Sequence, residues 1–255
     1  MPVQANIYYH IYERNIAEPR PPVVLIHGAG CTHLYWPPEI RRLAGHRIYA
    51  VDLPGHGKSP GIGKQSIPAY CSAILTWMGS IKIHNAVMIG HSMGAAIALT
   101  LALLHPEHVL GLGLIGAGAR LSVNPILLEN SSNPTTFASA VASIISLSFG
   151  PDTPDRLIEL ASQRMQETRP SVLHGDFLAC SAFDVTDRLS EILTPTLVLC
   201  GDQDKMTPPR LSQYLHSSIP GSQISIIQNA GHMVMLEKPA EVLGAMNAFL
   251  DEIPF

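Results

Sequence analysis

Charge is scarce in this chain. Lys, Arg, Asp and Glu together make 14% of its 255 residues, and the formal net charge is −4. There is no basic run, so the electrostatic footprint of a nucleic-acid-binding protein is missing. Long apolar runs are missing too: none approaches the roughly 18 uninterrupted residues of a membrane-spanning helix, and no membrane insertion is expected. The four cysteines (Cys31, Cys71, Cys180 and Cys200) are scattered and form no C-x-x-C pair, which points to reduced, buried thiols in a cytoplasmic protein. The opening residues, M-P-V-Q-A-N, show neither the charged region nor the apolar stretch of a secretory signal. Internal repeats and low-complexity tracts are also lacking. Apolar residues, in contrast, make up 46% of the chain, enough at this length to give one large domain a substantial core.

The apolar residues fall into short runs separated by helical patterns. Strands are expected at Ile7–Tyr12, Val23–His27, Ile48–Leu53, Asn85–Ile89, Val109–Ile115, Thr196–Cys200 and Gln223–Ile227. Several are continuous apolar runs, as in parallel strands buried on both faces. A proline-rich hinge spans Pro19–Pro22. Helices are expected at Trp36–Leu43, Ile67–Ile81, Ala95–Leu104, Pro209–Ser217 and Pro239–Leu250. Such alternation defines an α/β, doubly wound, mostly parallel sheet. Between Ala119 and Arg188 the alternation stops. Helix-like pieces there are punctuated at Asn124-Pro125, Asn133-Pro134, Gly150-Pro151 and Arg169-Pro170. The expected organisation is therefore a core domain at 1–118 and 189–255 and a helical insertion at 119–188.

Gly90-His91-Ser92-Met93-Gly94 closes one of the buried strands and opens a small-residue helix. A G-x-S-x-G pentapeptide in that setting is the signature of a nucleophile elbow, a strained turn that lifts the serine hydroxyl clear of the sheet. The glycines supply the room that such a turn needs. A serine hydroxyl attacks only when a base takes its proton, so Ser92 needs a histidine held by a carboxylate. Of the twelve histidines, His232 is the candidate, because it follows a strand in Asn229-Ala230-Gly231-His232; His105, His108, His174 and His216 lie at or on helices or in the insertion. The acid is expected in the loop Gly201–Pro208, where spacing leaves Asp202 and Asp204 both open. Backbone N–H groups of Met93 and of Ala29, in the loop His27-Gly28-Ala29-Gly30, are the expected oxyanion donors. That loop lacks the third glycine of a dinucleotide-binding G-x-G-x-x-G.

Five co-linear motifs now stand together: H-G-A-G (27–30), D-L-P-G-H-G-K-S (52–59), G-H-S-M-G (90–94), G-D-Q-D-K-M-T-P (201–208) and N-A-G-H (229–232). In combination they resemble the α/β-hydrolase superfamily, in its serine-nucleophile esterase, C–C hydrolase and perhydrolase branch. The resemblance implies an eight-stranded sheet with a helical lid inserted after the sixth strand. It also implies Asp204 as the acid, with Asp52, His56 and Ser59 shaping the sheet edge and the pocket floor.

The expected activity is carboxylic ester hydrolysis through Ser92, His232 and Asp204, on short to medium uncharged acyl or aryl esters. Serine attacks a carbonyl, whereas relatives that displace at saturated carbon carry aspartate at that position. Apolar groups of the insertion, among them Leu121, Phe137, Ile144, Phe149, Phe177 and Phe183, fit a largely apolar pocket. The candidate substrate pocket comprises Phe137, Phe177 and Phe183 with Gly28, His91, Met206 and Met233 beside the motifs. No metal or cofactor is expected, and the partners are a small-molecule ester and, at most, a second copy of the chain (a monomer or homodimer). Alternatives are a C–C bond hydrolase, with Arg120, Arg164 or Arg169 receiving a substrate carboxylate, a perhydrolase, and a hydrolase-fold receptor with little turnover.

Overall fold

The computed structural model describes residues 2–13 and 20–254. Eight strands form one sheet: β1 (Val3–Gln4), β2 (Ile7–Glu13), β3 (Val23–Ile26), β4 (Arg47–Asp52), β5 (Ala86–His91), β6 (Val109–Ile115), β7 (Thr196–Gly201) and β8 (Gln223–Ile227). Their order across the sheet is β1-β2-β4-β3-β5-β6-β7-β8. β1 and β2 run antiparallel at one edge, and every pairing from β4 to β8 is parallel. The sheet is therefore eight-stranded and mostly parallel, as expected. β3, β5 and β7 are buried at every residue, because helices cover both faces of a parallel sheet. β1 escaped the sequence reading. It is two residues long, and its hairpin turns on Ala5 and Asn6, both at positive φ, without the glycine that usually marks such a turn.

The short α1 (Pro38–Arg41) and the last two helices, α9 (Val234–Glu237) and α10 (Pro239–Asp251), lie in the chain on either side of α2 (Ile67–Ser80), α3 (Met93–Leu104) and α8 (Pro209–Ser218). Side chains alternate across each strand, so two cores form. Val24, Ile26 and Met88 pack with residues of α2, α3 and α8. Val23, Leu25, Val87 and Ile89 pack with residues of α1 and α10. The stretch expected to be a helix at Trp36–Leu43 is instead a 3₁₀ turn at His33–Tyr35 followed by the single turn of α1. Pro37 and Pro38 interrupt it by removing two backbone donors. The hinge expected at 19–22 lies partly outside the described residues; within them, the Pro22 carbonyl accepts the N–H of Val87 at 2.9 Å.

Between β6 and β7 lie four helices: α4 (Pro125–Ser132), α5 (Phe137–Ser148), α6 (Asp155–Gln166) and α7 (Pro170–Ser181). Proline occupies an opening position of α4 and α7, where its missing N–H costs nothing. The Asn124 side chain caps α4 by accepting the N–H of Ile126 at 2.9 Å. An isolated antiparallel bridge between Arg120 and Asp184 joins the two ends of this excursion.

Candidate active site

Ser92 stands between β5 and α3 at φ 54° and ψ −116°, a left-handed backbone that an L-residue adopts only when its surroundings enforce it. Two glycines make the enforcement possible. A Cβ on Gly90 would lie 2.1 Å from the Gly94 carbonyl oxygen, and one on Gly94 would lie 2.2 Å from that of Ile26. The helix thus starts against the strands with no space for a methyl group. α3 begins at Met93, two residues before the expected start, directly after the serine.

His232 follows β8 in a loop that is tied down at several points. Gly231 donates its N–H to Glu237 Oε1 at 3.0 Å, and Met233 donates to the Ser148 carbonyl at 3.0 Å. The imidazole Nδ1 lies 2.8 Å from Asp204 Oδ2, and both side chains are buried. Asp204 is held by its own turn: the N–H groups of Met206 and Thr207 donate to Oδ1, and the Thr207 hydroxyl donates to Oδ2, each at 2.8 Å. Burial pushes the carboxyl up, but His232 and the bonds from Thr207 outweigh it and hold Asp204 below the usual carboxylate range. Facing an ionised carboxylate, Nδ1 carries the proton and Nε2 is left as the basic nitrogen. Asp202 is occupied elsewhere, accepting the Ala230 N–H at 3.3 Å. Gly116, at φ +55°, leaves room for the ring, since a Cβ there would sit 3.1 Å from His232 Cε1.

The loop after β3 is set by His27. Its Nε2 accepts the Leu53 N–H at 3.0 Å, so Nδ1 carries the proton and donates to the Gly28 carbonyl at 2.8 Å. Burial and the neighbouring His56 push its pKa down to about 4, keeping the ring neutral. The Gly28 carbonyl also accepts from the Cys31 N–H. Fixing that carbonyl fixes the Ala29 N–H, which shares its peptide plane. Neither Ala29 nor Met93 donates its N–H to a protein acceptor among the described residues. His91 is also neutral, pushed down to about 3 by burial and His232; its Nε2 donates to the His232 carbonyl at 3.0 Å.

Ser92, His232, Gly28, Ala29, His91, Met206 and Met233 meet at one cavity of about 440 Å³, within the range of small-molecule sites. Phe177 joins them from α7, together with Leu121, Val123, Ile144 and Met165 from the helical insertion and Leu211 from α8. Phe137 and Phe183 do not line it, contrary to expectation. Phe137 packs inside the insertion, two turns before Ile144 on α5 and so about 10 Å along the helix axis from the cavity wall. Phe183 is buried in the apolar cluster that residues of α2 and α3 share, next in the chain to the Arg120–Asp184 bridge. Asp52, His56 and Ser59 do not form a pocket floor either. Asp52 binds the His33 N–H and ring and the Lys58 N–H, Ser59 donates to the Asp52 carbonyl, and His56 meets Asp176.

The lining has two arginines, Arg120 and Arg210, and no carboxylate among the described residues. Arg164 and Arg169 are engaged elsewhere, donating to the carbonyls of Leu34 and of Gly55 and Gly61. Arg210, Gly116, Glu237 and Asp176 were not singled out in the sequence. Gly116, Glu237 and Asp176 act through contacts with distant segments, Arg210 is a residue of the cavity wall, and none belongs to a recognisable pattern.

A sheet in this order, with the serine on a glycine-flanked turn after β5 and the histidine after β8, defines an α/β hydrolase. Residues 21–239 match the α/β hydrolase fold family, and the chain belongs to it. It is similar to the pimeloyl-(acyl-carrier protein) methyl ester esterase of Neisseria meningitidis serogroup A, with 30% identity over 237 residues, 88% of this chain and 74% of that one. A solved thermophilic esterase superposes with a TM-score of 0.81 at 32% identity, over 97% of this chain and 98% of that one. The enol-lactonase of Burkholderia xenovorans LB400 superposes with a TM-score of 0.89 over 96% of each chain; at 22% identity it shares the fold. No described helix is long and apolar enough to cross a membrane.

Proposed function

We propose that the protein is a serine carboxylic ester hydrolase. The observation that carries this reading is the meeting of Ser92, on its strained turn, with the His232–Asp204 pair at one apolar cavity. The esterases it resembles support it. Ser92 Oγ bonds to the ester carbonyl carbon while His232 Nε2 takes the hydroxyl proton. The carbonyl oxygen becomes an oxyanion received by the N–H groups of Ala29 and Met93. The C–O bond to the leaving alcohol breaks as His232 returns the proton to it. Water then attacks the acyl-enzyme by the same route, releasing the acid and restoring Ser92.

Residues 119–188 act as the lid, since six apolar wall positions (Leu121, Val123, Ile144, Met165, Phe177 and Cys180) come from that stretch. The wall suits short to medium acyl or aryl groups, and a lining with two arginines and no carboxylate disfavours an amine substrate.

Two measurements test the reading. A fluorophosphonate probe should label Ser92 stoichiometrically, located by peptide mass spectrometry. p-Nitrophenyl esters from acetate to palmitate should turn over repeatedly, with an optimum at short or medium chains. A single burst without further turnover would replace the enzyme with a receptor. Val123→Trp, at a half-buried wall position, should move the optimum toward acetate and lower kcat/KM for the decanoate by roughly 10–100-fold. An unchanged profile would take Val123 out of the acyl site.

A further inference from the structure

Asp176 lies on α7 with its carboxylate fully buried, far in sequence from everything it touches. Oδ2 accepts the Gly30 N–H at 2.9 Å and faces His56 Nε2 at 2.7 Å, while Oδ1 accepts the Tyr70 hydroxyl at 2.5 Å. The same glycine is gripped a second time: its carbonyl accepts the hydroxyl of Thr168, in the α6–α7 connection, at 2.9 Å. Both backbone groups of Gly30 are therefore held by the helical insertion. Gly30 sits at φ +65°, and a Cβ would lie 2.8 Å from Leu173 Cδ1 of α7. A glycine there has wide conformational freedom of its own, so its geometry depends on these two bonds. The preceding peptide, which carries the Ala29 N–H, is set from the other side by His27.

The grip is also electrostatic. His56 Nδ1 faces the Pro54 carbonyl at 3.2 Å and Nε2 faces Asp176, both acceptors. Burial opposes a charge on the ring, but Asp176 outweighs it and raises the His56 pKa, favouring the imidazolium. The pair is buried between the insertion and the core, so separating them would leave two uncompensated buried charges.

We propose that Asp176, with Thr168, is a positioning residue for the oxyanion loop: seated against the core, the insertion holds Gly30 and thereby orients the Ala29 N–H toward the reacting carbonyl. The inference rests on the esterase reading above. It makes the seating of α7 a condition of transition-state stabilisation as well as of enclosure. Loosening the insertion should then damage kcat more than substrate binding.

The test compares wild type, Asp176→Asn, Thr168→Val and Ser92→Ala on p-nitrophenyl butyrate, below the thermal midpoint of every variant. Alongside, affinity is measured for an alkyl trifluoromethyl ketone, whose carbonyl accepts Ser92 Oγ and places an oxyanion in the hole, and for the matching unfluorinated ketone. Asp176→Asn and Thr168→Val should each lower kcat by about 10–100-fold and weaken the fluorinated ketone by a similar factor. KM and affinity for the unfluorinated ketone should stay within about twofold. A fall in thermal midpoint with kcat and ketone affinity intact would overturn the proposal, leaving a purely structural clamp. A rise in KM alone would overturn it as well. If Asp176→Asn does not fold, Thr168→Val decides by the same criteria. Full turnover by Ser92→Ala would instead sink the reading of Ser92 as the nucleophile, on which the inference rests, so the two failures are distinguishable.

Discussion

Alanine at position 92 should lower kcat for p-nitrophenyl butyrate by about 10⁴–10⁶-fold, while the protein keeps its fold. The size follows from the proposed role as nucleophile; the Thr207 hydroxyl, which also lines the cavity beside His232, is committed to Asp204. The fold should survive because the Ser92 side chain caps no helix and its left-handed backbone is set by neighbours. Alanine demands no more room there than serine. Thermal midpoints should therefore agree within a few degrees, as for substitutions that disturb no packing. Residual catalysis should remain from the hole and from binding. His232→Ala should fall into the same range, and the double variant no lower than the worse single one, because the groups act as a unit. Unimpaired hydrolysis by Ser92→Ala would put the nucleophile elsewhere.

The second large effect should come from a single methyl group outside the cavity lining. In Gly94→Ala the new Cβ would meet the Ile26 carbonyl oxygen at 2.2 Å and that of His27 at 2.8 Å. Both are backbone atoms of β3 and the loop beyond it, and neither can swing aside as a flexible side chain would. Either α3 retreats or the strand end bends, by something like 1 Å, and both motions spread the Ala29 and Met93 N–H groups apart. A displacement of that size can cost about 10²-fold, and loss of a hole donor about 10²–10³-fold, so kcat should fall by roughly 10²–10³-fold. Overpacking should also cost about 1–3 kcal/mol, or roughly 2–12 °C in midpoint for a chain of this length. Gly79→Ala is the control: that glycine lies in α2, with nothing within 4 Å of the added Cβ. The control should be neutral or stabilising by up to about 1 kcal/mol. If both variants behave alike in activity and melting, the tight elbow is not what positions the hole.

How much of this was legible in the sequence depended on whether a feature was local. β6 matched its expected limits, and β3, β5 and β7 came within one or two residues, because strands buried on both faces announce themselves as apolar runs; β8, only half-buried, matched its limits as well. The glycine motifs were legible because they encode steric necessity in a few adjacent positions. Asp202 and Asp204 could not be separated by spacing, as both lie in one turn. In the structure, the hydrogen bonds of the 204–207 turn aim Asp204 at His232. Asp176 gave no signal at all, because its partners lie 106 to 146 residues away. Phe137 and Phe183 were placed on the wrong surface because apolar periodicity shows that a side chain is buried without showing whether its neighbour is protein or an empty cavity.

The division of the cavity between core and insertion bears on how such a molecule diversifies. On the proposed reading, Leu121, Val123 and Ile144 touch substrate from one side, while Ser92, His232 and Asp204 belong to loops at the ends of β5, β7 and β8. Sequence drift, or a combinatorial library, at those wall positions would explore new acyl groups with the reaction machinery untouched. The freedom stops at Thr168 and Asp176: a helix from another family member could be grafted here only if it brought the same two side chains to Gly30.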